Sequence, residues 1–309
     1  MTDQTPLRLG TRQSPLAMAQ AREARARLCR AHGWDEAQVE LVPVRASGDR
    51  IQDRPLAEIG GKALWTKELD QWLAEDRIDA AVHSMKDVET IRPDSLAIGA
   101  ILPRADVRDV LIGAAGIAEI PPGALIGTSA PRRAAQALNM RPDCKVVMFR
   151  GNVATRLAKL AAGEADVTFL AASGLERLGE TGVGTVLDSS EWLPAPAQGA
   201  IGIECRAGDR RTRDLLAVID DPASRASVEA ERALLIGLGG TCHSPVGVVC
   251  SIDGDIIHMR AVLFSADGAQ RVDGTTAFAP HDRDAPAALA ADLLARATPA
   301  IAALFGKVS

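Results

Sequence analysis

The stretch "PLRLGTRQSPLAMAQAREARARLCRAHG" (residues 6–33) decides the fold class. It reads as a short strand, a turn and a helix, with Ser14 as N-cap, Pro15 at the first helical position and Gly33 as terminator. A strand running straight into a helix is the building unit of α/β sheets. The unit returns at "ALIGTSAPRRAAQAL" (124–138), where Gly127-Thr128 opens the turn as Gly10-Thr11 does in the first. Ala-Gln-Ala sits on both helices, at 19–21 and 135–137, one residue out of register. Two similar α/β lobes are the expectation.

Further units fill the space around these. Leu64, Trp65, Leu69, Trp72 and Leu73 recur at helical spacing and read as a core-facing stripe. "IDAAVHSMKDV" (78–88) is a buried strand whose C-terminal end turns polar, the place where open α/β sheets bind ligands. "MFRGNVATRLAKLAAGEADVTFLAASGLERLG" (148–179) adds strand, loop, helix and strand, with Asn152 as N-cap and Gly163 as C-cap. The Pro-rich "LPAPAQGAIGIECR" (193–206) leads into an apolar strand over 200–205. From about residue 220 the pattern changes. A helix over 222–240 ends at "GGTCHSPVG", short strands follow with Asp-Gly punctuation, and an Ala/Leu-rich helix over 285–305 closes the chain. This tail reads as a separate small α+β domain.

A 309-residue chain that is 47% apolar can bury several cores, which excludes disorder. No apolar run approaches the roughly 20 residues that span a bilayer, and the N-terminus carries no signal-peptide pattern. Five scattered cysteines without a CxxC pair fit a reducing compartment, so the cytoplasm is expected. A net charge of −5 argues against a broad nucleic-acid surface.

The basic residues are nevertheless placed for anions. Arg12, Arg132 and Arg133 fall in the two echoing strand-to-helix loops, Arg150 and Arg156 flank "RGN", and Arg177 follows "AASGLE". A guanidinium there can pair bidentately with a carboxylate, and helix N-termini add N–H donors. Any one of them alone reads as a surface ion-pair residue; their repeated placement points to a pocket for a small polyanion. Lys86 and Asp87 read either as a solvated pair or, in a cleft, as a carboxylate that stabilises a developing cation. Cys242 has three readings. It is a metal ligand, a catalytic nucleophile or a point of covalent attachment. No second Cys/His pair completes a zinc site, and adjacent His243 is poorly placed as a base. Attachment remains open beside them.

Taken together, "LRLGTRQSPLAMAQ", "GGKALWTKEL", "AVHSMKDV", "GTSAPRR", "FRGNVATRLAKL", "PAPAQGAIGIECR" and "GGTCHSPVG" resemble the porphobilinogen deaminase family in order and spacing, nearly end to end. The resemblance implies an α/β fold of two type 2 periplasmic-binding-protein-like lobes enclosing an active cleft. A small α+β C-terminal domain with an antiparallel three-stranded sheet completes it. Domain 1 would comprise 1–103 and 198–219, domain 2 residues 104–197, and domain 3 residues 220–309. It implies a dipyrromethane cofactor held by a thioether at Cys242, and a catalytic Asp87. Lys86, Ser84, Ser129, Arg132, Arg133 and Arg156 match cofactor-binding positions. Arg12, Ser14, Lys62, Arg150, Asn152, Arg177 and Gln198 match substrate-binding ones. No metal is implied.

The implied reaction joins four porphobilinogen molecules, with loss of ammonia, into the linear tetrapyrrole hydroxymethylbilane of haem biosynthesis. The implied partners are porphobilinogen and the growing polypyrrole chain, in a cytoplasmic monomer without nucleic acid, membrane or obligate protein partner. Some positions depart from the family's common pattern: Ala130-Pro131 before Arg132, Ala197 in place of glycine, Trp65, Glu58, and Val88-Glu89 after Asp87. They bear on loop mobility rather than on the reaction. Two rival readings are a two-lobed anion-binding or ligand-sensing protein and a thiol hydrolase using Cys242.

Overall fold

A computed structural model of the chain describes residues 6–44 and 66–306. The expectations placed on Glu58, Lys62, Leu64 and Trp65 lie outside the described residues. In the opening stretch, Ser14 caps helix α1 (Pro15–His32) by accepting from the Ala17 N–H, and Gly33 ends it at φ +67°. Preceding it, strand β1 (Leu7–Arg12) runs parallel to β2 (Val39–Val44) on one side and to β3 (Ala80–Ser84) on the other. Strand β10 (Ile201–Arg206) then lies antiparallel between β3 and β4 (Leu96–Ile101). The sheet order is β2-β1-β3-β10-β4.

The second sheet repeats that plan. Its order is β7 (Lys145–Val147), β6 (Leu125–Gly127), β8 (Val167–Ala171), β5 (Asp109–Ile112) and β9 (Thr185–Val186). Strand β5 is its antiparallel member. Thus β6 stands where β1 stands in the first sheet, and the echo between residues 10–21 and 127–137 is a correspondence of position. The two glycines share a physical reason. A Cβ on Gly10 would lie 2.4 Å from Ile78 Cδ1, and one on Gly127 would lie 2.7 Å from the Phe149 ring. At Gly127 the ring leaves no room for a side chain, and at Gly10 the terminal methyls of Ile78 and Leu69 would have to shift.

The chain divides into two compact units, Met1–Ala105 with Ala200–Arg225, and Asp106–Gly199 with Ala226–Ser309. The first contains the first sheet, cored by Leu7, Leu9, Leu28, Val82, Ile201 and Ile203. Helix α2 (Lys67–Ala74) packs Leu69 and Leu73 on a neighbouring cluster, as the stripe predicts. The second unit contains the other sheet and a three-stranded antiparallel sheet of β11 (Val246–Asp253), β12 (Ile256–Phe264) and β13 (Arg271–Phe278). The predicted antiparallel segment is therefore present, and Leu234, Leu238, Val248, Met259 and Leu293 form its core. Each fully buried leucine there contributes roughly 1.5–3 kcal/mol.

Three helix boundaries differ from the sequence expectation, the first being a helix over Pro222–Gly237 rather than 222–240. The closing helix is two helices, Asp284–Arg296 and Pro299–Ala302, because Pro299 has no N–H for the helical ladder and instead starts a new turn. Helix α4 (Val153–Ala161) is capped by Ala162, with Gly163 one residue further on at φ +75°. Asn152 does cap its start, accepting from the Thr155 N–H at 2.9 Å. Among the described residues no helix is long and apolar enough to cross a membrane.

Candidate functional site

In the first unit, β3 carries Ser84 at its carboxyl end and turns through a single 3-10 turn, Met85–Asp87. Met85 anchors the turn: its N–H donates to the Ala200 carbonyl at 3.0 Å and its side chain is buried. A Cβ on Gly202 would lie 2.1 Å from Met85 Sδ, so that glycine gives the methionine its seat. With Met85 pointing inward, Lys86 and Asp87 are left half-buried at the sheet edge. Ser84 Oγ accepts from Gln20 Nε2 at 3.1 Å. Arg12 ends β1 at the same carboxyl edge, and Ser14 spends its hydroxyl on the helix cap.

Beneath this edge lies an ionic cluster that the sequence reading did not single out. Arg92 donates to both oxygens of Glu204, at 2.9 Å each, to Asp70 at 2.6 Å and to Glu89 at 2.6 Å. Thr66 Oγ1 also donates to Glu89, at 2.9 Å. His83 Nε2 lies 3.2 Å from Glu204. Burial opposes ionisation of Glu204, yet His83 and Arg92 override it and hold the carboxyl down to about 2. Glu89, noted as a departure from the family pattern, is thus one of three carboxylates gathered by Arg92. The signal in the sequence was an acid inside the apolar run "AIGIEC".

In the second unit, helix α3 (Pro131–Met140) starts after β6, with Pro131 at its first position. Ser129 is half-buried in the connecting loop, whereas Arg132 and Arg133 are buried. Both guanidiniums reach Asp109 at 2.7 Å, and both also donate to backbone carbonyls, Leu193 and Phe169 respectively, at 2.8 Å. Gln198 joins them, donating to Asp109 at 2.8 Å and to the Val107 carbonyl at 2.7 Å. Trp192 Nε1 completes the set at 2.8 Å. Burial opposes the charge on Asp109, and the two arginines outweigh it, keeping the carboxyl well below the usual carboxylate range. The structure therefore brings Arg132, Arg133 and Gln198 together on one acid that the sequence reading missed. Its only sequence sign was a charge heading the apolar strand "DVLI".

Other predicted residues of this unit have partners of their own. Arg156 Nε donates to the Gly151 carbonyl at 3.0 Å, in a loop where Gly151 takes φ +123°. Arg150 is buried, and Asn152 uses its Oδ1 for the cap and for Thr155 Oγ1. Arg177 donates to the Gly199 carbonyl at 3.2 Å, next to Gln198.

Cys242 is exposed and not disulfide-bonded. Its turn is closed by Thr241 N–H to Ser244 Oγ at 3.0 Å and by Ser244 N–H to the Thr241 carbonyl at 3.0 Å. Gly239, at φ +60°, packs so closely that a Cβ would lie 2.8 Å from Gly306 Cα. The loop base is therefore pinned while Cys242 itself stays exposed. A covalent dipyrromethane needs a reachable thiol at its end and cationic groups for its carboxylates. The exposed turn cysteine meets the first requirement, and Arg132 and Arg133, two cations on one carboxylate in the same unit, have the charge for the second. No group of three or more His, Cys, Asp or Glu side chains that could hold a metal occurs among the described residues.

Two α/β sheets of one plan, a three-stranded antiparallel sheet and an exposed cysteine in the turn before it define an α/β protein of repeated design. The comparisons give the family. The porphobilinogen deaminase, dipyromethane cofactor binding domain model matches residues 7–214, and the porphobilinogen deaminase C-terminal domain model matches 226–295. A porphobilinogen deaminase of Sphingopyxis alaskensis is 56% identical over 310 residues, covering 98% of each chain. One of Paracoccus denitrificans is 49% identical, covering 86% of each. The chain belongs to the porphobilinogen deaminase family. Among solved structures, the BvgS VFT2 domain of Bordetella pertussis is similar at a TM-score of 0.42 and 15% identity, covering 71% of this chain and 88% of that one. The sulfonate-binding protein SsuA of Methylobacillus flagellatus follows at 0.38 and 16%, covering 75% and 68%. The fold itself rests on the strand orders given above.

Proposed function

We propose that the chain joins four porphobilinogen molecules head to tail, with loss of ammonia, and releases the linear tetrapyrrole hydroxymethylbilane by hydrolysis. The single observation that carries this, beyond family membership, is the exposed thiol of Cys242 on a pinned turn. Cys242 would form the thioether to the dipyrromethane. That group, when attached, supplies the free α-carbon from which the polypyrrole is extended.

Asp87 is assigned the catalytic role. When the aminomethyl carbon–nitrogen bond of porphobilinogen breaks, the pyrrole nitrogen's electrons leave a cationic methylene-pyrrolenine. A carboxylate at the sheet edge stabilises that cation through its N–H and takes part in moving the proton lost after the new carbon–carbon bond forms. Each pyrrole unit carries an acetate and a propionate, so negative charge accumulates as the chain grows. Lys86, Ser84, Ser129, Arg132, Arg133 and Arg156 are assigned to the carboxylates of the cofactor. Arg12, Ser14, Lys62, Arg150, Asn152, Arg177 and Gln198 are assigned to those of the substrate.

The same proposal divides the chain into three domains, a discontinuous one of 1–103 and 198–219, a second of 104–197 and a third of 220–309. It places the protein in the cytoplasm, as a monomer acting without nucleic acid, membrane or obligate protein partner. Intact mass of the purified protein tests the reading. An excess of two linked pyrrole units, a positive pyrrole-aldehyde colour reaction, and loss of both in Cys242→Ser support it; an unmodified protein with full activity rejects it.

A further inference from the structure

Arg132 and Arg133 are consecutive in the first turn of α3. Neighbouring side chains on a helix leave it about 100° apart, so they ordinarily serve different surroundings. Here both converge on Asp109, which is itself inaccessible to solvent. Strand register adds the location. Asp109 pairs with Ala171, the last residue of β8, so the carboxylate stands at the carboxyl end of a parallel strand, where sheets of this class bind ligands. Charge adds a reason. Two guanidiniums against one carboxylate leave an excess of one positive charge in the cluster. A core built only for stability would use apolar groups, which avoid the desolvation cost.

We propose that Asp109 is a positioning residue that aims Arg132, Arg133 and Gln198, and through them sets how readily the second unit captures the carboxylates of the pyrrole chain. This rests on the function proposed above. Its carboxylate oxygens accept from Arg132, Arg133, Trp192 and Gln198, which fixes the planes of both guanidiniums. An amide in its place keeps the shape, but one acceptor becomes a donor facing a guanidinium. The fork then opens.

The test uses full-length apoenzyme, made in cells that cannot supply porphobilinogen, and then given porphobilinogen. Intact mass follows the fraction carrying two pyrrole units over time, and steady-state kinetics follow the loaded protein. Asp109→Asn, at a temperature where near-UV circular dichroism shows it folded, is expected to load at least tenfold more slowly and to raise KM at least tenfold, with a smaller change in kcat. Asp109→Glu keeps the charge but displaces it by one methylene, and is expected to fall between Asp109→Asn and the unsubstituted protein. A folded Asp109→Asn that loads and binds like the unsubstituted protein overturns the proposal. Should Asp109→Asn not fold, Asp109→Glu carries the test, and unchanged loading and KM in it overturn the proposal equally. If the unsubstituted protein neither loads nor consumes porphobilinogen, the functional reading itself fails. If it loads and the variants load alike, only the positioning role fails.

Discussion

The Ala197 N–H donates to Glu231 at 2.6 Å, and Ala197 itself adopts φ +58°. An alanine in the left-handed region strains its Cβ against the following carbonyl, by roughly 1–2 kcal/mol. The conformation persists because Glu231, fully buried, holds the amide. Ala197→Gly removes the strain at some cost in chain entropy, so it is expected to stabilise the protein by up to about 1 kcal/mol. Glu231→Ala should destabilise it by roughly 2–3 kcal/mol by leaving that amide unpaired. Urea unfolding of both single variants and the double variant checks this, since the alanine background can relax once its amide is released and should lose less on Glu231→Ala than the glycine background. Equal losses in both backgrounds would show that Glu231 is not what holds the strained conformation, and an Ala197→Gly variant no more stable than the unsubstituted protein would show that no strain is held there.

Asp87 should be dispensable for folding and not for turnover. It is half-buried at the end of a short turn whose anchor is Met85. Asp87→Ala is expected to keep the thermal midpoint within a few degrees while turnover falls by about 10²-fold or more, the scale of losing one electrostatic stabiliser. Substantial turnover in well-folded protein would remove Asp87 from the catalytic role.

Cys242→Ser changes one exposed atom in a turn whose hydrogen bonds come from Thr241 and Ser244. Stability of the unloaded protein should therefore stay within about 0.5 kcal/mol, the ordinary range for surface changes. Added porphobilinogen should leave no mass increase that survives denaturation. A stable adduct in this variant would place the attachment elsewhere.

Acid stability should report the cluster around Arg92. The Glu204 carboxyl is held down to about 2 in the fold, against 4.5 ordinarily. A depressed carboxyl stabilises the fold above its unfolded value and loses that stabilisation as protons bind. The contribution, on the order of 3 kcal/mol, is therefore present above about pH 4.5 and falls away toward about pH 2. Glu204→Gln should lower stability at pH 7 and flatten its dependence on pH over that interval. An unchanged slope in acid denaturation curves would show that Glu204 does not carry it.

Much of the architecture was legible because local chemistry and tertiary structure agree. Ser14-Pro15, Gly33 and Asn152 are where caps and breakers act through their nearest neighbours, and they behave as read. The paired Gly10 and Gly127 revealed the repeat because the same close packing acts on both. The tail reads as one helix because its composition is rich in Ala and Leu, but the helical ladder cannot pass Pro299 and the fold holds two helices there.

The sequence by itself determined the α/β class, the repeated strand-to-helix unit, the family, the cysteine turn and the strand-end arginines. Each is read from short stretches of the chain and their order. Only the tertiary structure decided what those side chains are attached to. Asp109 lies 23 residues before Arg132 and 89 before Gln198, and Glu204 lies 112 after Arg92. Partnerships over such separations arise from strand order, with β5 and β10 inserted antiparallel in their sheets, and no local pattern encodes them. Burial then gives those partnerships their strength, because a charge removed from water must find its counter-charge wherever the fold has placed it.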